Sequence, residues 1–389
     1  MKNILYVSNA CSTQEYDRLF AGMDLKTNQQ SQKFNRLFAE GMAANGRSVT
    51  VLSSRPVNTS LHPKKWYAKK TESVGGVHYV YLSFFNFKYV RQALIRIGLV
   101  REVKKWIKSN PDGLIFCDIL NYSLFAALSG VKRKNSKLIG IVTDLPEILG
   151  GGKLEGRGVR QTALIAECDG LVLLAEPMNG KINPKHRPFV VMEGFCDVHM
   201  REKDNTLCGK YDKKVVLYAG LLHKKYGIKN LTEAFIQADI PDCELHIYGT
   251  GDYENELKKI TAEHKNVRYF GTKDNAYVVQ EQLKATLLVN PRPTDEAFVH
   301  YSFPSKNMEY IASGTPMLTT ALPSMPEEYR AHCFVSDGFD VQSLCRELKI
   351  ILLKPKEELY AIGAQAKEWA LRTKNNAVQA EKVLDFFDC

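Results

Sequence analysis

Lys306 and Glu309 are the two side chains of this sequence whose types and spacing point most directly to chemistry. The apolar residues around them recur every three or four positions, which predicts a helix that starts at Ser305, its expected N-cap. The first N–H groups of a helix and its dipole attract anions, and Lys306 adds a full positive charge. Glu309 lies one turn further in, where its carboxylate could accept hydrogen bonds from two hydroxyls of a sugar. The segment therefore predicts a site for a diphosphate that carries sugar rings.

The same two residues could instead form a surface ion pair, which at this spacing stabilises a helix by about 0.2 to 0.5 kcal/mol. The preceding residues favour a site. An apolar run over residues 285–290 ends at Pro291, as a buried strand of a parallel sheet would. Ligands of open α/β sheets bind beyond the carboxyl ends of the strands, so the loops that follow the strands are the places to search.

Three loops of the second half of the chain carry suitable residues. In the first loop, Gly220 allows a close approach of the backbone, and Lys224 and Lys225 offer positive charge to a phosphate. In the second loop, Gly249 begins a Gly-Thr-Gly turn, which a tight turn without a ligand explains equally well. In the third loop, Arg292 follows the strand that ends near Asn290. We expect these residues to line one crevice.

Short apolar runs alternate with helical patterns in both halves of the 389-residue chain. The predicted strands lie at residues 4–7, 48–52, 77–82, 114–117, 138–142, 170–174, 189–192, 215–218, 245–248, 267–270, 287–290 and 317–319. This alternation predicts the α/β class, with two Rossmann-like domains built on doubly wound parallel sheets. We place the first domain at residues 1–200 and the second at 201–370, and a helix over 371–389 could pack back on the first domain.

Composition excludes several classes of protein. No run approaches the roughly 20 apolar residues that cross a bilayer, and the first residues are too short an apolar run for a signal peptide, so we expect a cytoplasmic protein. The nine cysteines are scattered, which argues against a disulfide framework. Neither the cysteines nor the nine histidines have metal-ligand spacing, so no metal site is predicted.

The excess of basic over acidic residues is confined to the first half. Residues 1–200 hold 28 Lys and Arg against 16 Asp and Glu, whereas the remainder holds 25 against 27. Residues 88–108 interleave seven basic residues with apolar ones, as does a helix that lies on the surface of an anionic membrane. Alternatively, the apolar side of this helix packs into its own domain. Nucleic acid is the rival partner, but the chain contains no known nucleic-acid module, so none is expected.

The loops of the second half resemble the C-terminal donor domain of retaining GT-B glycosyltransferases of sequence family four, the glycosyl transferases group 1. The matching segments span residues 213–325 and include L-Y-A-G-L-L-H-K-K-Y-G-I-K-N-L, L-H-I-Y-G-T-G-D, L-V-N-P-R-P-T and Y-S-F-P-S-K-N-M-E-Y-I-A-S-G-T-P-M-L. The resemblance implies the GT-B fold, with the two domains facing across a cleft. The first domain would bind an acceptor and the second a nucleotide diphosphate sugar.

The chain departs from the family at two places. Many members carry two glutamates eight positions apart, and here Tyr301 replaces the first while Glu309 keeps the second. The usual arginine and lysine fall on Leu221 and near Tyr226, which leaves Lys224 or Lys225 as possible substitutes. The form F-P-x-K-x-x-E-Y occurs in a subset of the family, where its lysine contacts phosphate.

The resemblance also implies retention at the anomeric carbon without a metal or cofactor, and with the leaving phosphate accepting the acceptor's proton. Asp144 or Asp118 could contribute to the acceptor side of the site, although either could be only a helix N-cap. The long polar loop over residues 8–30 is expected to contact the acceptor. A basic first domain suits a lipid-linked glycan acceptor on the inner face of a membrane, as in capsule or exopolysaccharide synthesis, with the protein peripheral there.

Two other functions remain open. A nucleotide-sugar epimerase of GT-B shape would bind the same donor without a glycan acceptor. A degenerate subunit without activity would be consistent with the replacements at Tyr301 and Leu221. A nicotinamide-dependent dehydrogenase is disfavoured, because S-N-A-C-S-T stands after the first strand where G-x-G-x-x-G would be expected.

Overall fold

The computed structural model describes residues 1–23, 29–88, 90–146 and 156–388, which form two compact units. The first unit comprises Met1–Glu193 with Asn376–Cys389, and the second comprises Gly194–Asn375. These boundaries lie a few residues from 200 and 370, where the sequence places them. The difference arises because the backbone N–H of Cys196 already donates to the carbonyl of Lys374, at 2.9 Å, within the second unit.

The sheet of the first unit is parallel except at one edge. Its strands are β1 (Ile4–Ser8), β2 (Val49–Ser53), β4 (Lys70–Val74), β5 (Val77–Tyr81), β7 (Leu114–Asp118), β8 (Lys137–Val142), β9 (Gly170–Leu173) and β10 (Phe189–Val191). Their order is β10-β9-β8-β7-β1-β2-β5-β4, and β4 pairs antiparallel with β5. Two further strands, β3 (Trp66–Tyr67) and β6 (Phe84–Phe85), form a separate antiparallel ribbon.

The described helices of the first unit flank this sheet. They are α1 (Thr13–Leu19), α2 (Gln29–Ala44), α3 (Val90–Ser109), α4 (Tyr122–Ser129), α5 (Arg157–Ile165), the single turn α6 (Asn179–Ile182) and, at the end of the chain, α13 (Asn376–Asp388). α3 buries Ile95, Leu99, Val103 and Ile107, every fourth residue. This stripe packs into its own domain, as the second alternative for residues 88–108 predicts.

The second unit contains a six-stranded sheet whose strands are all parallel. They are β11 (Lys214–Ala219), β12 (Cys243–Tyr248), β13 (Val267–Tyr269), β14 (Leu287–Asn290), β15 (Met317–Thr320) and β16 (Phe334–Ser336), in the order β13-β12-β11-β14-β15-β16. This is the order of a Rossmann fold, 3-2-1-4-5-6. The four central strands, β12, β11, β14 and β15, are largely buried because helices cover both faces of the sheet.

The described helices of the second unit are α7 (Ile228–Ala238), α8 (Glu254–Glu263), α9 (Asn275–Lys284), α10 (Ser305–Ser313), α11 (Val341–Leu352) and α12 (Lys356–Thr373). Short 3-10 turns at Lys224–Tyr226 and Ala297–Tyr301 lie in the loops after β11 and β14. In the described part of the chain, no helix is both long and apolar enough to cross a membrane.

The α/β class with two Rossmann-like sheets is confirmed, and each predicted strand overlaps an observed one. The edge strand β4, the ribbon of β3 and β6, and β16 were not predicted. β4 reads Lys-Thr-Glu-Ser-Val, and a polar edge strand lacks the apolar run by which buried strands are recognised. The strands of the ribbon are two residues long, too short to show any period.

Candidate functional site

The second sheet changes direction between β11 and β14. The chain builds β11, β12 and β13 outward to one side and then returns to place β14 on the other side of β11. Helices therefore diverge at the carboxyl ends of β11 and β14, and the crevice left between them is where doubly wound folds bind ligands. The loop after β11 and the loop after β14 carry six of the predicted site residues, namely Gly220, Leu221, Lys224, Lys225, Arg292 and Tyr301.

α10 is fastened to the end of β11 by two side chains one turn apart. The ammonium of Lys306 donates a hydrogen bond to the carbonyl of Ala219. The hydroxyl of Tyr310 accepts from the backbone N–H of Ala219 at 2.9 Å and also contacts its carbonyl at 3.2 Å. The ammonium also lies 4.9 Å from the centre of the Tyr218 ring. The lysine is thus held at the carboxyl end of β11 before any ligand binds.

Gly220 lets this lysine reach the carbonyl of Ala219, because a side chain at position 220 would push the end of Lys306 aside. A Cβ atom built on Gly220 would lie 1.3 Å from Nζ of Lys306. On the neighbouring loop, Gly249 adopts φ of +133°, and its Cβ would lie 1.7 Å from the carbonyl oxygen of Gly220. The backbone N–H of Gly220 donates to the carbonyl of Tyr248 at 2.9 Å. The two glycines therefore let two loops and a lysine stack closely.

The pKa of Lys306 is lowered to about 8, chiefly because burial disfavours the ammonium. Glu309 opposes this shift, and Arg292 adds to it. A lysine with this pKa is partly neutral at slightly alkaline pH. An anionic ligand beside it would restore the charge, so its binding and the protonation of Lys306 would favour each other.

The start of α10 is open, which corrects one sequence prediction. Pro304 occupies the N-cap position and Ser305 is the first helical residue, so Ser305 is not the N-cap. No side chain caps this terminus. Proline is a poor cap because its side chain has no acceptor, and the first N–H groups of the helix remain an anion-attracting end beside Lys306. At the far end, Gly314 closes the helix with φ of +79°.

Arg292 lies against two aromatic rings. Its guanidinium carbon is 5.2 Å from the centre of the Tyr226 ring and 4.9 Å from that of Phe298. These rings meet edge to face, with centroids 6.2 Å apart. Gly227, at φ of +82°, brings the first loop against the third, since its Cβ would lie 1.8 Å from the carbonyl oxygen of Pro291. Tyr226 and Phe298 were missed by the sequence reasoning because their role depends on this contact.

Glu309 is held from the neighbouring helix α9. The side-chain amide of Gln282, which is fully buried, donates to its carboxylate at 3.0 Å. Asn307 is buried on the same helix and accepts from the side chain of Asn290 at 2.6 Å, which ties α10 to the end of β14. Tyr301 ends the 3-10 turn before α10 and is half-buried.

The two lysines of the first loop differ. Lys224 pairs with Glu256 on α8, and its backbone N–H donates to Asp252 at 3.1 Å. Lys225 lies 5.3 Å from the centre of the Tyr226 ring. Leu221 is exposed at the turn, where its carbonyl accepts from the hydroxyl of Tyr218 at 2.8 Å. The pairing with Glu256 already occupies the ammonium of Lys224.

The two aspartates proposed for the acceptor side belong to the first unit. Asp118 ends β7 and is buried, and its carboxylate accepts from the side chain of Asn35 at 3.2 Å and from the backbone N–H of Leu120 at 3.0 Å. Burial raises its pKa. Asp144 is half-buried just after β8. Part of the predicted acceptor loop, residues 24–28, lies outside the described residues.

A cavity of about 570 Å³ opens at the carboxyl edge of the first sheet. It is lined by residues from four segments, among them Asn9, Arg55, Asn58, Arg91 and Asn121. The sequence reasoning included Asn9, within the loop after β1, but missed the loop after β2. The loop over residues 8–30 was chosen for its length, whereas the rule that ligands bind beyond strand ends would have found Ser54 and Arg55 too.

Arg55 is held by a charged cluster that joins distant positions of the first unit. It is buried, adopts φ of +54°, and donates to the buried carboxylate of Glu15 at 3.1 Å. Lys70 donates to the same carboxylate at 2.9 Å. Burial alone would raise the pKa of Glu15, but hydrogen bonds from Arg18 and Lys70 lower it below 4.5. Among the described residues, no group of His, Cys, Asp and Glu is arranged to hold a metal ion.

Comparison with known proteins finds a family model that matches the second half of the chain. Residues 201–369 match the model of the family described as glycosyl transferases group 1. The matched range covers nearly the whole of the second unit, Gly194–Asn375. Among curated proteins, no sequence matches this chain significantly.

Solved structures with the same fold cover the whole chain. Sucrose-phosphate synthase from Thermosynechococcus elongatus matches with a TM-score of 0.67 and 15% identity, over 100% of this chain and 98% of its own. The apo form of the lipopolysaccharide outer core galactosyltransferase WaaB matches with a TM-score of 0.62 and 14% identity, over 100% and 99%. A TarM variant from S. aureus, in complex with fondaparinux, alpha-GlcNAc-glycerol and UDP, matches with 0.65 and 12%, over 100% of both chains. The chain thus has the GT-B fold.

Proposed function

We propose that this protein is a retaining glycosyltransferase that moves a sugar from a nucleotide diphosphate donor to a glycan acceptor. The observation that carries the proposal is the ammonium of Lys306 at the end of β11, beside the uncapped start of α10. Both features attract the negative charge of a diphosphate. The family match of residues 201–369 supports this function independently.

In the proposed reaction, charge builds on the leaving diphosphate as the bond to the sugar breaks. Lys306 and the first N–H groups of α10 stabilise that charge, and Arg292 adds a second cation. The departing phosphate accepts the proton of the acceptor hydroxyl, so no separate general base is assigned. Glu309, oriented by Gln282, accepts hydrogen bonds from hydroxyls of the donor sugar. This chemistry needs no metal ion, and the protein is proposed to work without one.

The remaining site residues have smaller roles in this proposal. Lys225 contacts donor phosphates at the edge of the crevice, and Lys224, because of its pair with Glu256, contributes less. Leu221 and Tyr301 contact the donor through backbone and ring, and Gly220 and Gly249 allow the loops to approach it. Ser305 presents a backbone N–H rather than a cap.

The acceptor is proposed to be lipid-linked and to be bound by the first domain, as in the synthesis of capsule or exopolysaccharide. The cavity of about 570 Å³ supports an acceptor site there, because it lies at the carboxyl edge of the sheet and is lined by Arg55 and Arg91. Asp144 is a candidate to orient the acceptor hydroxyl, whereas Asp118 is committed to Asn35 and Leu120. The protein would act in the cytoplasm, peripheral to the inner face of the membrane.

The proposal can be tested with purified protein and a panel of nucleotide sugars. We expect one of them to release nucleotide diphosphate faster when a lipid-linked glycan is present in vesicles. Lys306→Ala should lower this rate about 10²- to 10³-fold, the range for losing one group that stabilises developing charge. Lys258→Ala is the matched control, since Lys258 lies on the surface of α8 and, among the described residues, pairs only with Glu254.

The outcome separates the alternatives. Interconversion of the donor sugar without any acceptor would identify an epimerase of the same fold. Donor binding without turnover of any kind would identify a degenerate subunit. If no nucleotide sugar or nucleotide diphosphate binds at all, the proposed function is wrong.

A further inference from the structure

The ribbon of β3 and β6 has aromatic side chains on both faces, although only one face is buried. Tyr67 and Phe84 form the buried face, with rings stacked at 5.0 Å. Trp66 and Phe85 form the other, with rings 4.5 Å apart, and they are 43% and 44% exposed. Alternation along a strand predicts polar residues on a face turned to water. The outer face of this ribbon is therefore built for contact with something other than water.

The exposed apolar surface continues beyond the ribbon. Phe87, 49% exposed, stacks on Phe85 with centroids 6.3 Å apart. On α3, Val90 and Ile97 are exposed, and they lie seven residues apart and hence on the same side of the helix. This stripe is separate from the buried one. Trp66, Phe85 and Phe87, together with Val90 and Ile97, are called the aromatic surface below.

The aromatic surface lies within the most basic part of the chain. Residues 61–108 contain 11 Lys and Arg but only two acidic residues, Glu72 and Glu102. Lys64 is 5.5 Å from the centre of the Tyr67 ring, and Lys65 is 5.8 Å from that of Phe87. Within the part of the chain that the structure describes, neither lysine has a carboxylate partner. Positive charge thus borders the exposed rings.

The surface is also firmly mounted. The buried side chain of Asn86 donates to the carbonyls of His62 and Lys64, at 3.1 and 3.3 Å. Its backbone N–H donates to the carbonyl of Lys65 at 2.8 Å. The three bonds fix the segment that carries Lys64 and Lys65 to the strand that carries Phe85. A rigid platform loses little conformational entropy when it binds a partner.

We propose that the aromatic surface docks the protein on an anionic lipid bilayer. Tryptophan and phenylalanine partition into the boundary between headgroups and acyl chains, and lysines beside them attract anionic headgroups. This inference rests on the proposed membrane location and names the residues responsible. It also moves the contact from the whole of residues 88–108, whose main apolar stripe is buried, to the ribbon and the start of α3.

The test measures sedimentation of the full chain with two kinds of vesicles. One kind is phosphatidylcholine alone, and the other contains about 30% phosphatidylglycerol. The wild type should bind the anionic vesicles only, and more weakly at high salt. The double variant Trp66→Ser, Phe85→Ser should bind at least about tenfold more weakly, because half-exposed rings no longer enter the lipid. Lys64→Gln with Lys65→Gln should weaken binding by about fivefold for each lysine.

Matched controls remove similar groups elsewhere. Phe386→Ser with Leu353→Ser removes two side chains that are 44% and 81% exposed, outside the aromatic surface. Lys259→Gln with Lys265→Gln removes two exposed lysines of the second unit. Both control proteins should bind vesicles as the wild type does. Because the substituted rings point outward, the double variant should keep the thermal unfolding temperature of the wild type.

Tryptophan fluorescence gives a second readout. Of the three tryptophans, Trp66 is the exposed one, so its emission should shift to the blue when the protein binds anionic vesicles. Trp66→Phe keeps an aromatic ring, so it should still sediment with the vesicles while losing the shift. That combination identifies Trp66 as a group that enters the lipid.

Three results would overturn the inference. They are an absence of binding to either kind of vesicle, binding that the ribbon variant leaves unchanged, and a dimer of the wild type that the ribbon variant dissolves, since a second copy would then be the occupant. Transfer to a soluble acceptor is measured in parallel. If that transfer persists while vesicle binding fails, docking is wrong but the proposed reaction is not.

Discussion

The carboxyl edges of the two sheets are built in different ways. In the second unit, short loops with glycine stack directly on one another, and backbone hydrogen bonds join Gly220 to Tyr248 and Leu222 to Thr250 at 2.9 Å. In the first unit, longer loops are joined by charged side chains, with Arg55 and Lys70 both bound to Glu15. The carboxyl edge of the second sheet, called the backbone edge below, leaves room only for small groups and a lysine. The carboxyl edge of the first sheet, called the side-chain edge below, encloses a cavity of about 570 Å³. The carboxyl edge of the second sheet suits the proposed donor phosphate, and that of the first sheet suits the proposed acceptor.

The largest effect is expected from a substitution that disrupts the stacked loops of the backbone edge. Gly249→Ala would place a Cβ atom 1.7 Å from a carbonyl oxygen at φ of +133°. We expect it to destabilise the second unit by more than about 4 kcal/mol, the range of exceptional substitutions. The measurement is the thermal unfolding transition of that unit, followed by differential scanning calorimetry.

Gly271→Ala is the matched control for this variant. Gly271 also has positive φ, of +69°, but its Cβ would meet no atom within 4 Å. Gly271→Ala should lower the free energy of unfolding by only about 1 to 2 kcal/mol, because alanine disfavours the left-handed backbone conformation. If the two variants cost the same, close stacking of the loops does not hold this edge together.

The next largest effect is expected from a substitution that disrupts the charged cluster of the side-chain edge. Glu15→Gln leaves the buried guanidinium of Arg55 without its carboxylate, which should destabilise the first unit by about 3 kcal/mol. The pKa of Glu15 is lowered in the folded state, so its contribution is present above pH 4.5 and is lost as the pH falls below that value. The difference in unfolding temperature between variant and wild type should therefore shrink in acid.

The affinity of Glu15→Gln for nucleotide diphosphate shows whether the effect of the substitution is confined to the first unit. Because Glu15 belongs to the first unit, its loss should leave the affinity for nucleotide diphosphate unchanged. Glu254→Gln, which removes an exposed ion pair with Lys258, should cost less than about 1 kcal/mol. A loss of stability in Glu15→Gln that does not exceed this control would remove the cluster from the account.

A third effect is the pH dependence of donor use. The pKa of Lys306 is about 8, so kcat/KM for the donor should fall as the pH rises above 8, by at most about tenfold per pH unit. Lys306→Arg stays charged throughout this range and should lose the alkaline decline. An equal decline in the arginine variant would assign it to another group.

The smallest effect compares the two lysines of the first loop. Lys224 is already paired with Glu256, whereas Lys225 lies over the Tyr226 ring. Lys225→Ala should therefore raise the KM for the donor by up to about tenfold, and Lys224→Ala by less than about twofold. The reverse order, measured under the same conditions, would show that Lys224 leaves Glu256 when the donor binds.

The contrast between the two edges also explains how much the sequence could predict. The strands, the helix after Ser305 and the loops around Gly220, Gly249 and Arg292 were predicted because each depends on a few adjacent residues. The Pro304 cap was missed because a serine at the start of a helix usually caps it.

The side-chain edge could not be predicted in the same way. Glu15, Arg55 and Lys70 lie far apart in the sequence, and only the sheet order brings them together. The ribbon is hidden for a similar reason, because Trp66 and Phe85 belong to two-residue strands that carry no periodic signal. Contacts between distant residues depend on the fold rather than on a local pattern.

The central claim, that Lys306 at the mouth of α10 holds the donor diphosphate, is tested most directly by calorimetric titration with nucleoside diphosphates. Wild type and the control Lys258→Ala should bind one of them with the same affinity. Lys306→Ala should bind it at least about tenfold more weakly, because a charge-assisted hydrogen bond is lost. Its unfolding temperature should fall only slightly, because Tyr310 still fastens α10 to Ala219. Equal affinities for Lys306→Ala and wild type would contradict the claim.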